Sequence, residues 1–147
     1  MLVRTNSENK DFQKLVIALD HDLAIRNGDA NDFFTQFNKI DLLHHVVVYY
    51  LENQPVGCGA VKEFNNSTME IKRMYVQIEF RGKGVAVAVL QELENWAREL
   101  GYTYCVLETG NKMPEAIGLY KKSGYRIIPN YGPYENIESS ICFEKEL

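Results

Sequence analysis

The sequence predicts an α+β domain built around a mixed β-sheet, and three observations carry that prediction. Residues 44–76 hold three apolar, β-branched segments separated by short polar turns, the pattern of antiparallel strands. Residues 69–143 then read strand, helix, strand, helix, strand, strand, with a glycine closing each helix. Ahead of both, Phe12, Leu15, Val16, Leu19 and Leu23 follow the three-and-four spacing of an amphipathic helix.

The elements can be placed in order. Residues 1–5 suit a short first strand, and the helix from Asp11 ends at Asn27-Gly28. A second short helix is expected over 32–38, with Phe33, Phe34 and Phe37 on one side. Strands follow over 44–51 and 55–64, joined by Glu52-Asn53-Gln54. In 69–76 the alternation puts Met69, Ile71, Arg73 and Tyr75 on one face and Glu70, Lys72, Met74 and Val76 on the other. A helix runs from Gly84 to about Leu100, its buried stripe formed by Val89, Leu90, Leu93, Trp96, Ala97 and Leu100. A strand over 102–109 and a helix over 113–123 come next; Pro114 suits a first turn, and Gly124 a helix end. Strands over 125–128 and 140–143 flank a loop rich in Pro, Gly and Asn. The final strand is free, at this level, to pair across a homodimer.

With 147 residues, 46% of them apolar, the chain predicts one domain with an ample core. The net charge of −4 argues against nucleic acid as the main partner. Cys58, Cys105 and Cys142 are scattered and odd in number, which suits buried thiols in a reducing compartment. No apolar run approaches a membrane span, and residues 1–12 lack a signal-peptide core, so a cytoplasmic protein without membrane contact is expected. No metal site is expected: His44 and His45 are strand neighbours pointing to opposite faces, and Asp20, His21 and Asp22 diverge around a helix.

The chemistry concentrates where a strand ends at Val76 and a helix begins after Arg81-Gly82-Lys83-Gly84. Unpaired N–H groups and the positive dipole end at a helix start suit phosphate, and glycines let the backbone approach it. Lys83 is followed by Gly84 rather than Ser or Thr, so the loop is not a Walker A motif. Val87 stands where a dinucleotide fingerprint needs its third glycine.

The pattern Arg81-x-x-Gly84-x-Ala86 resembles the acetyl-CoA pyrophosphate loop of the GNAT N-acetyltransferase superfamily. Leu107-Glu108-Thr109-Gly110-Asn111 and Ala116-Ile117-Gly118-Leu119-Tyr120-Lys121-Lys122-Ser123-Gly124-Tyr125 are similar to that family's second half. The resemblance implies a twisted mixed sheet with splayed central strands and direct acetyl transfer from acetyl-CoA to an amine. It implies cofactor contacts at Met74, Val76, Arg81, Gly82, Lys83, Gly84, Val85, Ala86 and Asn111. Tyr120 would act as the acid beside the thioester sulfur, and Glu70 or a water chain would serve as the base, with Glu108 on the adjacent strand a weaker candidate. The acceptor is expected to be a small-molecule amine such as an amino acid or polyamine. Arg26, Phe34, Tyr131 and Tyr134 would border its pocket, Arg26 holding a carboxylate and Asp20 or Asp22 an ammonium. A protein acceptor, or an acyl-CoA-binding sensor without turnover, is the alternative.

Overall fold

A computed structural model describes residues 1–27 and 42–147. The expected helix over 32–38, and Phe34 with it, lies outside the described residues. The elements are β1 (Leu2–Thr5), α1 (Lys10–Asn27), β2 (His45–Leu51), β3 (Gln54–Asn65), β4 (Thr68–Val76), α2 (Val85–Glu99), β5 (Tyr104–Gly110), α3 (Pro114–Lys122), β6 (Arg126–Ile128) and β7 (Ser140–Glu146). Short 3₁₀ turns cover Ile78–Phe80 and Gly132–Tyr134. The strands form one sheet in the order β1-β2-β3-β4-β5-β7-β6. Among the described residues, β4 and β5 run parallel and the other strand pairs are antiparallel. The α+β mixed sheet is therefore as expected.

Local chemistry explains the boundaries. The Asn9 side chain accepts from the Phe12 N–H at 2.9 Å and caps α1. Gly84, at φ 82°, opens α2, and Pro114 occupies the first turn of α3. Both faces of the sheet are covered, so the Val46-Val47-Val48 run of β2 is buried on each side. Val46 and Val48 pack with Phe12, Leu15 and Val16 of α1, while Val47 packs with Val89, Leu90 and Leu93 of α2. Gly57 and Gly59 let α2 lie close to β3. A Cβ on Gly59 would stand 2.5 Å from Met74 Sδ and 2.8 Å from Leu93 Cδ1.

One expectation needs correction: the alternation of β4 breaks at a bulge. Cys58 faces Tyr75 but Ala60 faces Lys72, so two residues, Arg73 and Met74, oppose Gly59, and Arg73 takes φ 61°. Met74 and Val76 thus rejoin Met69 and Ile71 on the α2 side. Arg73 turns to α1, where it meets Asp20 at 2.8 Å, and Tyr75 packs there too. The terminal strand β7 lies between β5 and β6, paired with β5 along its whole length and with β6 over Cys142–Glu144.

Candidate active site

The two central parallel strands stay together only at Thr68↔Tyr104, Met69↔Cys105 and Glu70↔Val106. Beyond that rung they part, and a cleft opens between β4, α2 and α3.

The loop before α2 forms one wall. The Gln77 N–H donates to the Val56 carbonyl at 2.9 Å and its side-chain amide to Pro55 O at 2.9 Å, anchoring the loop to β3. The Arg81 Nε donates to the Val76 carbonyl at 2.8 Å, with the guanidinium 5.5 Å from the Tyr75 ring centroid. Gly82 and Gly84 have φ of 77° and 82°, and a Cβ on either would meet open space. The first α2 bond runs from Ala88 N–H to Gly84 O at 3.0 Å, so the N–H groups of Val85, Ala86 and Val87 precede it. These are the amides a helix start offers an anion.

The cleft beside this loop measures about 310 Å³; Met74, Val76, Arg81, Gly84, Ala86 and Tyr120 help line it. Gly82 and Val85 also line it, whereas the Lys83 ammonium sits over the Phe80 ring at 5.6 Å. Asn111 is exposed at the end of β5, away from the lining, and its N–H donates to Ser139 O at 2.8 Å.

A second pocket of about 110 Å³ adjoins the first, lined by Glu70, Lys72, Arg73, Glu108, Tyr134 and Tyr120 among others. Tyr120 borders both spaces. It is only 6% exposed, wedged against Tyr125 and Phe143 with ring centroids 5.8 and 5.9 Å away. Burial, reinforced by the Glu108 charge, pushes its hydroxyl pKa upward. Burial likewise raises Glu108 to about 7, although the Ser140 hydroxyl donates to its carboxylate at 2.7 Å. Glu70 accepts from the Tyr131 hydroxyl at 2.7 Å and lies 3.8 Å from the Lys72 ammonium, whose own pKa burial lowers. Tyr131 stacks edge-on against Phe64 and Tyr134; Tyr134 lines this pocket, whereas Tyr131 reaches it only through its hydrogen bond to Glu70.

Arg26 lies outside both linings. Its guanidinium is bound to Glu115 of α3 and is 3.5 Å from Asp22, two residues that line the larger cleft. Asp22 also faces Arg81 at 3.9 Å, and Asp20 is held by Arg73. The sequence singled out neither Ser140 nor the buried environment of Lys72. A serine opening a strand carries no signal of its own; only the β5–β7 register brings it to Glu108.

The acetyltransferase (GNAT) family model matches residues 12–125. An IAA acetyltransferase of Azospirillum brasilense is 37% identical over 93 residues, which are 63% of this chain and 61% of that protein. The match thus spans less than two-thirds of that relative's length. A proposed acyl-CoA N-acyltransferase of Klebsiella pneumoniae superposes with a TM-score of 0.84 at 26% identity, covering 100% of this chain and 97% of that one. A GNAT acetyltransferase of Elizabethkingia anophelis with acetyl-CoA bound shares the fold, with a TM-score of 0.61 at 23% identity over 70% of this chain and 76% of that one. The splayed strands, the glycine-bearing helix start and the 12–125 match agree: this chain belongs to the GNAT acetyltransferase family, for which acetyl-CoA is the co-substrate.

Proposed function

We propose that the chain transfers the acetyl group of acetyl-CoA directly to the amine of a small molecule. The observation that carries this reading is the position of Tyr120, shared by the cleft beside the α2 amides and the pocket holding two carboxylates.

The cradle suits the co-substrate. Gly82 and Gly84 leave room for a diphosphate against the amides of Val85, Ala86 and Val87, with Arg81 adding charge. The freed edge of β4 around Met74 and Val76 suits the amides of the pantetheine arm. Bound there, acetyl-CoA supplies an activated acyl carbonyl; the chain's own groups do the rest.

An amine reaches the pocket as an ammonium and must lose a proton before it attacks. Glu108 takes that proton, because a carboxyl with a pKa of about 7 is substantially ionised at neutral pH and still basic enough to accept it. Glu70, engaged by Tyr131 and Lys72, fixes the charge and shape of the acceptor end. As the new C–N bond forms and the C–S bond breaks, the Tyr120 hydroxyl gives its proton to the departing sulfur. A tyrosine hydroxyl carries that proton at neutral pH. The acylated nitrogen sheds its second proton, which restores the Tyr120 hydroxyl, and Glu108 releases the first to solvent.

The pocket's modest size and the Tyr134 ring in its wall support a small acceptor, an amino acid or polyamine, over a protein tail. Three free, buried cysteines support a reducing, cytoplasmic setting. The test is thiol release from acetyl-CoA across an amine library, with mass detection of the acetylated product. Turnover with a small amine supports the proposal; binding of acetyl-CoA without turnover on any amine or peptide would favour a sensor.

A further inference from the structure

We infer that Ser140 is a positioning residue for the transfer: its hydroxyl, donated across the β5–β7 ladder, fixes the Glu108 carboxylate in place. This rests on the reading of Glu108 as the base.

The geometry begins with the β5–β7 ladder. Glu108 pairs with Cys142 and Gly110 with Ser140, which makes Glu108 and Ser140 diagonal neighbours on one face of the sheet. The Ser140 hydroxyl lies 2.7 Å from Glu108 Oε2 and the residue is only 6% exposed. Its backbone has little freedom. The Ser140 N–H donates to Ile137 O at 3.1 Å, and the Asn130 side-chain amide donates to Ser140 O at 3.2 Å and Ile137 O at 3.0 Å. The loop before β7 is thereby stapled so that its first strand residue presents a hydroxyl to the carboxylate.

Other charged and titratable groups face Glu108. Glu70, Lys72 and Arg73 come from β4, Tyr120 from α3, Tyr134 from the loop and Cys142 from β7. Burial and the Glu70 charge favour a neutral Glu108, while Lys72 and the Ser140 hydroxyl oppose them. The Ser140 hydroxyl opposes burial through its hydrogen bond to the carboxylate. Without it the carboxyl should gain its charge only at higher pH.

The experiment is the pH profile of kcat/KM for wild type, Ser140→Ala, Ser140→Thr and Glu108→Gln, with thermal melts confirming that each is folded. The expected result is an acid limb raised by about one pH unit in Ser140→Ala, so activity falls about tenfold below the limb and recovers at alkaline pH. Ser140→Thr should restore the wild-type limb. An unmoved limb in Ser140→Ala, or an equal loss at every pH, overturns the inference while leaving Glu108 as base. If the limb persists in Glu108→Gln, Glu108 is not the base and the underlying reading fails instead.

Discussion

Glu70 stands opposite Val106 at the last rung that β4 and β5 share. One side of that rung is closed sheet; the other is the cleft. The bulge at Arg73, three residues on, turns Met74 and Val76 toward α2 and sends Arg73 to Asp20. The same few residues therefore open the sheet and decide which side chains line the opening.

If Tyr120 protonates the leaving sulfur, Tyr120→Phe should lower kcat by about 10²-fold while leaving the Kd of acetyl-CoA within about a factor of two. The ring packing against Tyr125 and Phe143 survives that change. Steady-state thiol release and calorimetric titration read the two quantities. Equal kcat in the variant removes Tyr120 from the chemistry.

Glu108 also makes a stability prediction. Its folded pKa, about 7, lies above the ordinary carboxylate value, so the folded state binds the proton more tightly than the unfolded chain. The contribution is fully present below pH ~4.5 and is lost as pH rises through about 7. Glu108→Gln should therefore flatten the fall in stability over that window and be more stable than wild type at pH 8 by roughly 2 kcal/mol. Urea melts at pH 5 and pH 8 measure this; a parallel pH dependence in both proteins would contradict it.

Gly59→Ala should destabilise the fold by about 2 kcal/mol, because its methyl would overlap Met74 and Leu93. The shift in urea midpoint is the readout. A neutral effect would mean that α2 can move away from β3 without cost.

Gly84→Ala tests the cradle differently. No atom blocks a methyl there, so the strain comes only from φ 82°. About 1 kcal/mol of stability should be lost, and acetyl-CoA affinity should fall several-fold as the α2 amides are displaced. Unchanged affinity would place the diphosphate elsewhere.

Much of this was legible in the sequence, and the exceptions have physical causes. Gly84, Gly101, Pro114 and Gly124 are local stops and starts, so the bounds of α2 and α3 follow from neighbours in the chain. The loop from Arg81 to Ala86 and Tyr120 could be singled out for the same reason: each sits in a contiguous motif. The face reversal in β4 could not, because the bulge is a property of pairing with β3 rather than of residues 69–76 alone. The interior place of β7 is likewise a matter of strand order, which sequence order leaves open. Arg26 was expected to hold a carboxylate from a substrate; the described structure gives it those of Asp22 and Glu115. Ser140 acquires its meaning only opposite Glu108.

The most direct test is a crystal structure of the protein with coenzyme A. The diphosphate should lie on the amides of residues 82–87, the pantetheine arm along β4 past Glu70, and the sulfur beside the Tyr120 hydroxyl. Coenzyme A bound outside the gap between β4 and β5, or with its sulfur remote from Tyr120, would contradict that placement.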